Sequence, residues 1–119
     1  MKTIIAGSRN CNRGEVFKAI IESGIQGEIT EVVSGCAKGA DKYGEQWAEL
    51  FHVPVKRFPA NWWKYGKAAG PIRNREMAEY AEALIAVCKN HSAGTTNMIN
   101  EAKSRGLVVK AFYLDGVTA

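Results

Sequence analysis

Four short stretches of this chain gather residue types that handle anions, hydroxyls and flat rings. Gly7-Ser8-Arg9 joins a glycine, which lets a turn tighten and a ligand approach the backbone, to a hydroxyl and a guanidinium fork suited to phosphate or carboxylate. Taken alone it reads equally well as a turn with a surface arginine. Ser34-Gly35-Cys36-Ala37-Lys38-Gly39-Ala40-Asp41 has small residues that permit close backbone approach, followed by a helix start whose exposed N–H groups and dipole favour an anion. Asp41 there either accepts a hydrogen bond from a sugar hydroxyl or stabilises its own helix start. Ser92-Ala93-Gly94-Thr95-Thr96-Asn97 repeats the device, and ordinary N-capping is the plainer reading. Two such cradles exceed what capping needs and fit a guest with two anionic ends, or with a phosphate and a sugar.

The stretch FPANWWKYGKAAGPIRNREM, Phe58 to Met77, is the least ordinary. Trp62, Trp63 and Tyr65 crowd a segment in which core packing does not ask for three large rings. One ring anchors the loop; the others offer a stacking platform worth about 1–3 kcal/mol per base. Gly66, Gly70 and Pro71 shape the turn, Pro71 suits a first helical turn, and Arg73 and Asn74 then face the site while Arg75 and Glu76 face solvent. His91 sits in the last of these loops, where contact with a ligand is the less favoured reading; His52 precedes a strand and belongs to the opposite side.

The elements that must position these stretches are legible from apolar runs and breakers. Thr3–Ala6, Glu31–Ser34, Val53–Phe58, Ala83–Val87 and Leu107–Phe112 read as strands. Asn12-Arg13-Gly14-Glu15 has capping-box spacing ahead of Val16, Phe17, Ile20 and Ile21, and Gly24 closes that helix. A second helix places Ala40, Tyr43, Trp47, Ala48 and Phe51 on one face. A third runs from about Ile72 to Tyr80, and a fourth ends near Arg105-Gly106. Strand and helix alternate, which predicts a mainly parallel five-stranded sheet with helices on both faces, a Rossmann-like α/β three-layer sandwich. All four chemistry-bearing stretches follow strands. In such sheets ligands bind beyond the carboxyl ends of the strands, so one shared pocket is expected.

A chain of 119 residues is most simply one domain, residues 1–119. No apolar run reaches membrane-spanning length, and Met1–Gly7 reads as a strand rather than a signal peptide, so a cytosolic protein without a membrane partner is expected. The net charge of +4 suits an anionic guest, but the lysines and arginines are scattered, so nucleic acid is not the expected partner. Three cysteines without CxxC spacing argue against a disulfide framework or structural zinc, and no His, Cys or Asp cluster has metal-ligand spacing. Neither GxGxxG nor a P-loop motif is present, and no Ser-His-Asp or Cys-His set is legible.

Taken together in their order, GSR, SGCAKGAD, the Phe58–Met77 stretch and SAGTTNMI resemble the SLOG superfamily, in particular its YspA/YpsA-related branch, over almost the whole chain. The resemblance implies a Rossmann-like domain related to the Lonely Guy phosphoribohydrolases and to DprA-type DNA-processing proteins. It also implies a nucleotide-derived ligand of ADP-ribose or NAD type, a role in signalling or phage conflict, and assembly as a dimer. Arg73 resembles the arginine at the helix start of the Lonely Guy enzymes, and Gly94-Thr95 resembles their phosphate loop. Their catalytic glutamate would fall at position 98, which is Met98 here. A hydrolytic reading would therefore recruit Asp41 or Glu101. The main expectation is a binder with no required cofactor. Its site draws on Gly7, Ser8, Arg9, Ser34, Gly35, Lys38, Gly39, Asp41, Trp62, Trp63, Arg73, Asn74, Ser92, Gly94, Thr95 and Thr96. The alternative is an N-glycosidase acting on a nucleoside phosphate or an NAD-like substrate.

Overall fold

In the computed structural model, residues 1–89 and 92–114 are described; His91 lies outside them. The chain runs β1 (Lys2–Gly7), α1 (Arg13–Glu22), β2 (Glu31–Ser34), α2 (Ala40–Leu50), β3 (Val55–Arg57), α3 (Trp62–Tyr65), α4 (Ala69–Tyr80), β4 (Ala83–Cys88), α5 (Ala93–Ser104) and β5 (Val108–Tyr113), with short 3-10 turns at Gln26–Glu28 and Gly66–Ala68. The five strands form one sheet in the order β3-β2-β1-β4-β5, and every pairing is parallel. This is the Rossmann-like α/β sandwich expected from the alternation of apolar runs and helical patterns.

Alternate residues of the central strands feed two cores. Ile5, Ile85 and Val87 face Val16, Ile20 and Trp47 of α1 and α2, whereas Ile4, Leu84 and Ala86 face Met77, Met98 and Ile99 of α4 and α5. The period of 2 along each strand thus places helices on both faces. β4 is buried along its whole length, as a central parallel strand should be.

The chain leaves β1 in one direction through β2 and β3, then returns to the other flank of β1 for β4 and β5. The strand order therefore reverses between β1 and β4, and the loops after these two strands diverge there. Ser8 bolts them together: its hydroxyl donates to the Lys89 carbonyl and accepts from the Lys89 N–H, both at 2.7 Å.

Local outcomes follow local chemistry. Asn12 and Glu15 make the full capping box, at 2.8 and 2.9 Å. β3 is shorter than the Val53–Phe58 run suggests, because Pro54 has no N–H to donate; its carbonyl still accepts from Val32 at 2.9 Å. α4 begins at Ala69, ahead of the expected Ile72, since Pro71 in the first turn forfeits no helical hydrogen bond. The aromatic stretch is a helical turn rather than an open loop: Asn61 caps α3 by accepting from the Lys64 N–H at 3.0 Å. On α2, Ala40, Trp47 and Ala48 are buried as expected, while Phe51 stays half exposed with its ring 5.1 Å from that of Trp47.

Candidate functional site

Four segments meet over the carboxyl ends of β1, β2 and β4 around a cavity of about 340 Å³. The loop after β1 contributes Gly7 and Arg9, and the loop after β2 contributes Ala37 with Asp41 at the start of α2. Trp62 and the first turns of α4 supply a third wall, including Arg73 and Asn74; Ser92, Gly94 and Thr95 at the start of α5 supply the fourth. The size is within the range of small-molecule sites. The lining is mostly apolar, from Ala6, Trp62, Pro71, Met77 and Ala93, with a few convergent polar groups.

Arg73 and Asn74 organise the polar part. Arg73 donates through Nη1 to the Gly35 carbonyl, and through Nε to Asn74 Oδ1 at 3.0 Å. Asn74, only 6% exposed, donates to the Gly94 carbonyl at 3.2 Å and to Asn97 Oδ1 at 2.9 Å. One turn of α4 thereby fixes the loop after β2 to the start of α5. Gly35 must be glycine for this: a Cβ there would stand 2.6 Å from Arg73 Nη1 and 2.7 Å from Asp41 Oδ2.

Asp41 is 5% exposed and is the carboxylate of the cavity wall among the described residues. Its Oδ2 accepts from the Ala37 N–H at 3.2 Å. Burial pushes its pKa from the ordinary 3.8 to about 6, against the lowering influence of the Ala37 N–H and of the Arg73 guanidinium. The turn expected to cradle a guest's phosphate thus already gives one amide to an internal carboxylate. At the start of α5, Ser92 caps the helix, accepting from the Thr95 N–H at 3.4 Å.

A second, outer chamber of about 290 Å³ adjoins the first and shares Arg9, Ala37, Trp62 and Arg73 with it. Gly35, Cys36, Lys38, Pro59 and Ala60 complete its wall. Cys36 holds a left-handed backbone (φ 66°), an uncommon conformation for a residue other than glycine.

The structure sorts the residues singled out from sequence. Gly7, Arg9, Asp41, Trp62, Arg73, Asn74, Ser92, Gly94 and Thr95 line the main cavity, and Gly35 and Lys38 line the outer chamber. The others lie outside both walls. Ser8 is spent on Lys89, and Ser34 accepts from the Cys36 N–H at 3.1 Å while donating to Glu45. Gly39 (φ 74°) packs against the loop after β1, where a Cβ would come within 2.4 Å of the Ser8 carbonyl oxygen. Trp63 is fully exposed, and Thr96 donates to the Ser92 carbonyl at 3.1 Å. Met98 is a core residue at 1% exposure, and Glu101 pairs with Arg105 at 3.6 Å. The sequence reading placed Ala37, Met77, Asn97 and Ala60 inside its four stretches without assigning them to the site they line. Three of these are apolar residues of kinds found in every core. Asn97 carried a signal in its place one helical turn after Gly94.

Among the described residues no group of three His, Cys, Asp or Glu could hold a metal ion, and no helix is long and apolar enough to cross a membrane. All three cysteines are free, Cys11 and Cys88 being buried.

Comparison with known proteins agrees with this architecture. The structure of DNA processing protein A (DprA) from Streptococcus pneumoniae superposes with a TM-score of 0.70 over 92% of this chain, at 21% identity, a likeness of fold. The chain spans about half of DprA, 49% of its length. In sequence, the chain is 37% identical over 87 residues to the Gene 61 protein of Mycobacterium phage D29, covering 68% of this chain and 70% of that protein. The sequence model of one family matches residues 1–65, more than half of the chain, and the chain belongs to that family: YAcAr, the YspA, cpYpsA-related SLOG family.

Proposed function

We propose that this chain is a cytosolic protein that binds a nucleotide or a nucleotide-derived ligand of ADP-ribose or NAD type, as a sensor or sequestering protein in a signalling or phage-defence setting. The observation that carries the reading is the convergence of Arg9, Asp41, Trp62, Arg73 and Gly94, from four separate segments, on one cavity at the point where the strand order reverses. In this reading Arg9 and Arg73 neutralise phosphate charge, the start of α5 holds a phosphate, Asp41 accepts from a sugar hydroxyl, and Trp62 covers the base. Membership of a SLOG family supports a nucleotide-related role, and a phage relative suits the conflict setting. Calorimetric titration with AMP, ADP-ribose and NAD tests it. Saturable binding that Arg73→Ala weakens at least tenfold is the expected result; folded protein that binds none of the three overturns it. A dimer is the proposed assembly, checked by sedimentation equilibrium.

One observation favours a second reading, N-glycosidic cleavage. Asp41, with its pKa pushed up to about 6 by burial, lies in the cavity, is mostly ionised at pH 7 and takes up a proton just below it, which suits a group that serves as base and then acid. Met98 and Glu101 offer no substitute, the first being in the core and the second paired to Arg105. Release of free base from AMP or NAD, abolished in Asp41→Asn, is the result this reading requires.

A further inference from the structure

Residues 61–68, which make the Asn61 cap, α3 and the 3-10 turn after it, are helical but contribute no buried residue to either core. All of them are exposed, three large rings included. The rings differ in what they touch. Trp62 belongs to the cavity wall and leans over Gly70, where an added Cβ would stand 3.5 Å from its Cη2. The Tyr65 ring has the Lys64 ammonium 5.1 Å from its centroid. Trp63 is fully exposed and lines neither the main cavity nor the outer chamber. A Trp ring left in water forgoes the stabilisation that burial gives, and Trp is among the residue types most enriched at the centres of protein interfaces.

The charge around this ring has one sign. Between residues 51 and 75 the chain has Lys56, Arg57, Lys64, Lys67, Arg73 and Arg75 and no Asp or Glu. The remaining basic residues are outnumbered by the 12 acidic ones, so the positive excess of the chain resides in this span. Arg57 is held by Glu45 at 2.9 Å, and Arg73 by the Gly35 carbonyl. Lys64 and Lys67, next to Trp63 in sequence, are exposed. We propose that α3 and the turn after it are a docking surface for an acidic protein segment. The Trp63 ring is the apolar anchor, and Lys64 and Lys67 pair with carboxylates around it. Other occupants fit less well. A second copy paired about a twofold axis would set these cations against themselves. A nucleic-acid strand stacks successive bases on successive rings, and here Trp63 alone of the three is unengaged. The surface is independent of the nucleotide reading, in which Trp63, Lys64 and Lys67 have no role.

Fluorescence anisotropy with labelled probes tests this on the intact protein. A random glutamate–tyrosine copolymer stands for an acidic segment with apolar side chains, polyglutamate for charge alone, and oligo-deoxythymidylate for nucleic acid. The expected result is that the copolymer binds most tightly. Trp63→Ala should weaken it about tenfold or more, as should Lys64→Glu combined with Lys67→Glu. All three side chains are exposed, so these substitutions do not endanger folding. Copolymer affinity unchanged in Trp63→Ala, or matched by polyglutamate, overturns the proposal, because the ring then anchors nothing. Tighter binding of oligo-deoxythymidylate than of the copolymer overturns it in favour of a nucleic-acid surface. Folded wild-type protein that does not bind the copolymer overturns it outright.

Discussion

At the scale of the residue, two glycines in one loop illustrate different demands. At Gly39 an added Cβ meets backbone carbonyl oxygens of Ser8 and Arg9 at 2.4 and 2.5 Å, and its φ of 74° disfavours any side chain. Backbone cannot step aside, so Gly39→Ala should cost about 2 kcal/mol or more in chemical denaturation. At Gly35 the obstruction is the far end of Arg73 and the Asp41 carboxylate, which can swing away. Gly35→Ala should therefore cost less than Gly39→Ala in stability, with the loss appearing in ligand affinity instead. Asp41 makes a prediction about pH. Its native pKa of about 6 lies above the ordinary 3.8 because burial disfavours the charge. The native state thus binds this proton more tightly than the unfolded chain does. The stabilisation is fully present below pH 3.8 and is lost as pH rises through about 6, a difference of about 3 kcal/mol. Glu15 runs the opposite way: the Asn12 N–H holds its carboxyl below the usual range, and its contribution fades as pH falls. Urea unfolding of wild type and Asp41→Asn across pH 4–8 separates the two, since Glu15 cancels in the difference. Relative to wild type, the variant should gain stability as pH rises; a pH-independent difference would show that Asp41 titrates normally.

At the scale of the element, α4 does most to assemble the site. Its first turns place Arg73 and Asn74 so that side-chain hydrogen bonds reach β2's loop and α5's start at once. Asn74→Ala would leave the Gly94 carbonyl and the Asn97 amide oxygen without this donor. A loss of about 1–3 kcal/mol is expected, with faster hydrogen exchange at residues 94–97 while the β1 and β4 amides stay protected. The elements themselves were largely readable. Strands such as Ala83–Val87 announce themselves as apolar runs, and the Asn12–Glu15 spacing specified a cap that the structure contains. What the sequence concealed was α3. Its WWKY segment lacks an apolar stripe, since none of its residues is buried, and only the Asn61 cap stabilises it locally. The roles of small polar residues were hidden for another reason. Ser8, Ser34 and Gly39 have the composition of a ligand cradle, but two backbones that cross closely demand the same residue types. Only the partners, Lys89 for Ser8 and Glu45 for Ser34, distinguish the cases.

At the scale of the whole molecule, the arrangement follows from one topological fact: five parallel strands whose order reverses beside β1. Every loop that leaves a carboxyl end lies on the same rim, and the segments after β1 and β4, tied at their bases by Ser8 and Lys89, both contribute to the cavity wall there. That the reactive-looking stretches all follow strands was visible in the sequence, and the fold converts this order into proximity. Which side chains reach the crevice was not visible, because it depends on sub-ångström closeness of packing; Trp62 lines the cavity while its neighbour Trp63 is fully exposed. The central claim is that the rim formed by these four segments is where a nucleotide-type ligand sits. The most direct measurement is an amide NMR titration of the intact protein with ADP-ribose. The account predicts saturable shifts concentrated at residues 7–9, 35–41, 62–74 and 92–97. Shifts clustered at the opposite ends of the strands, near Met1, Thr30 and Glu82, or no shifts at millimolar ligand, would contradict it.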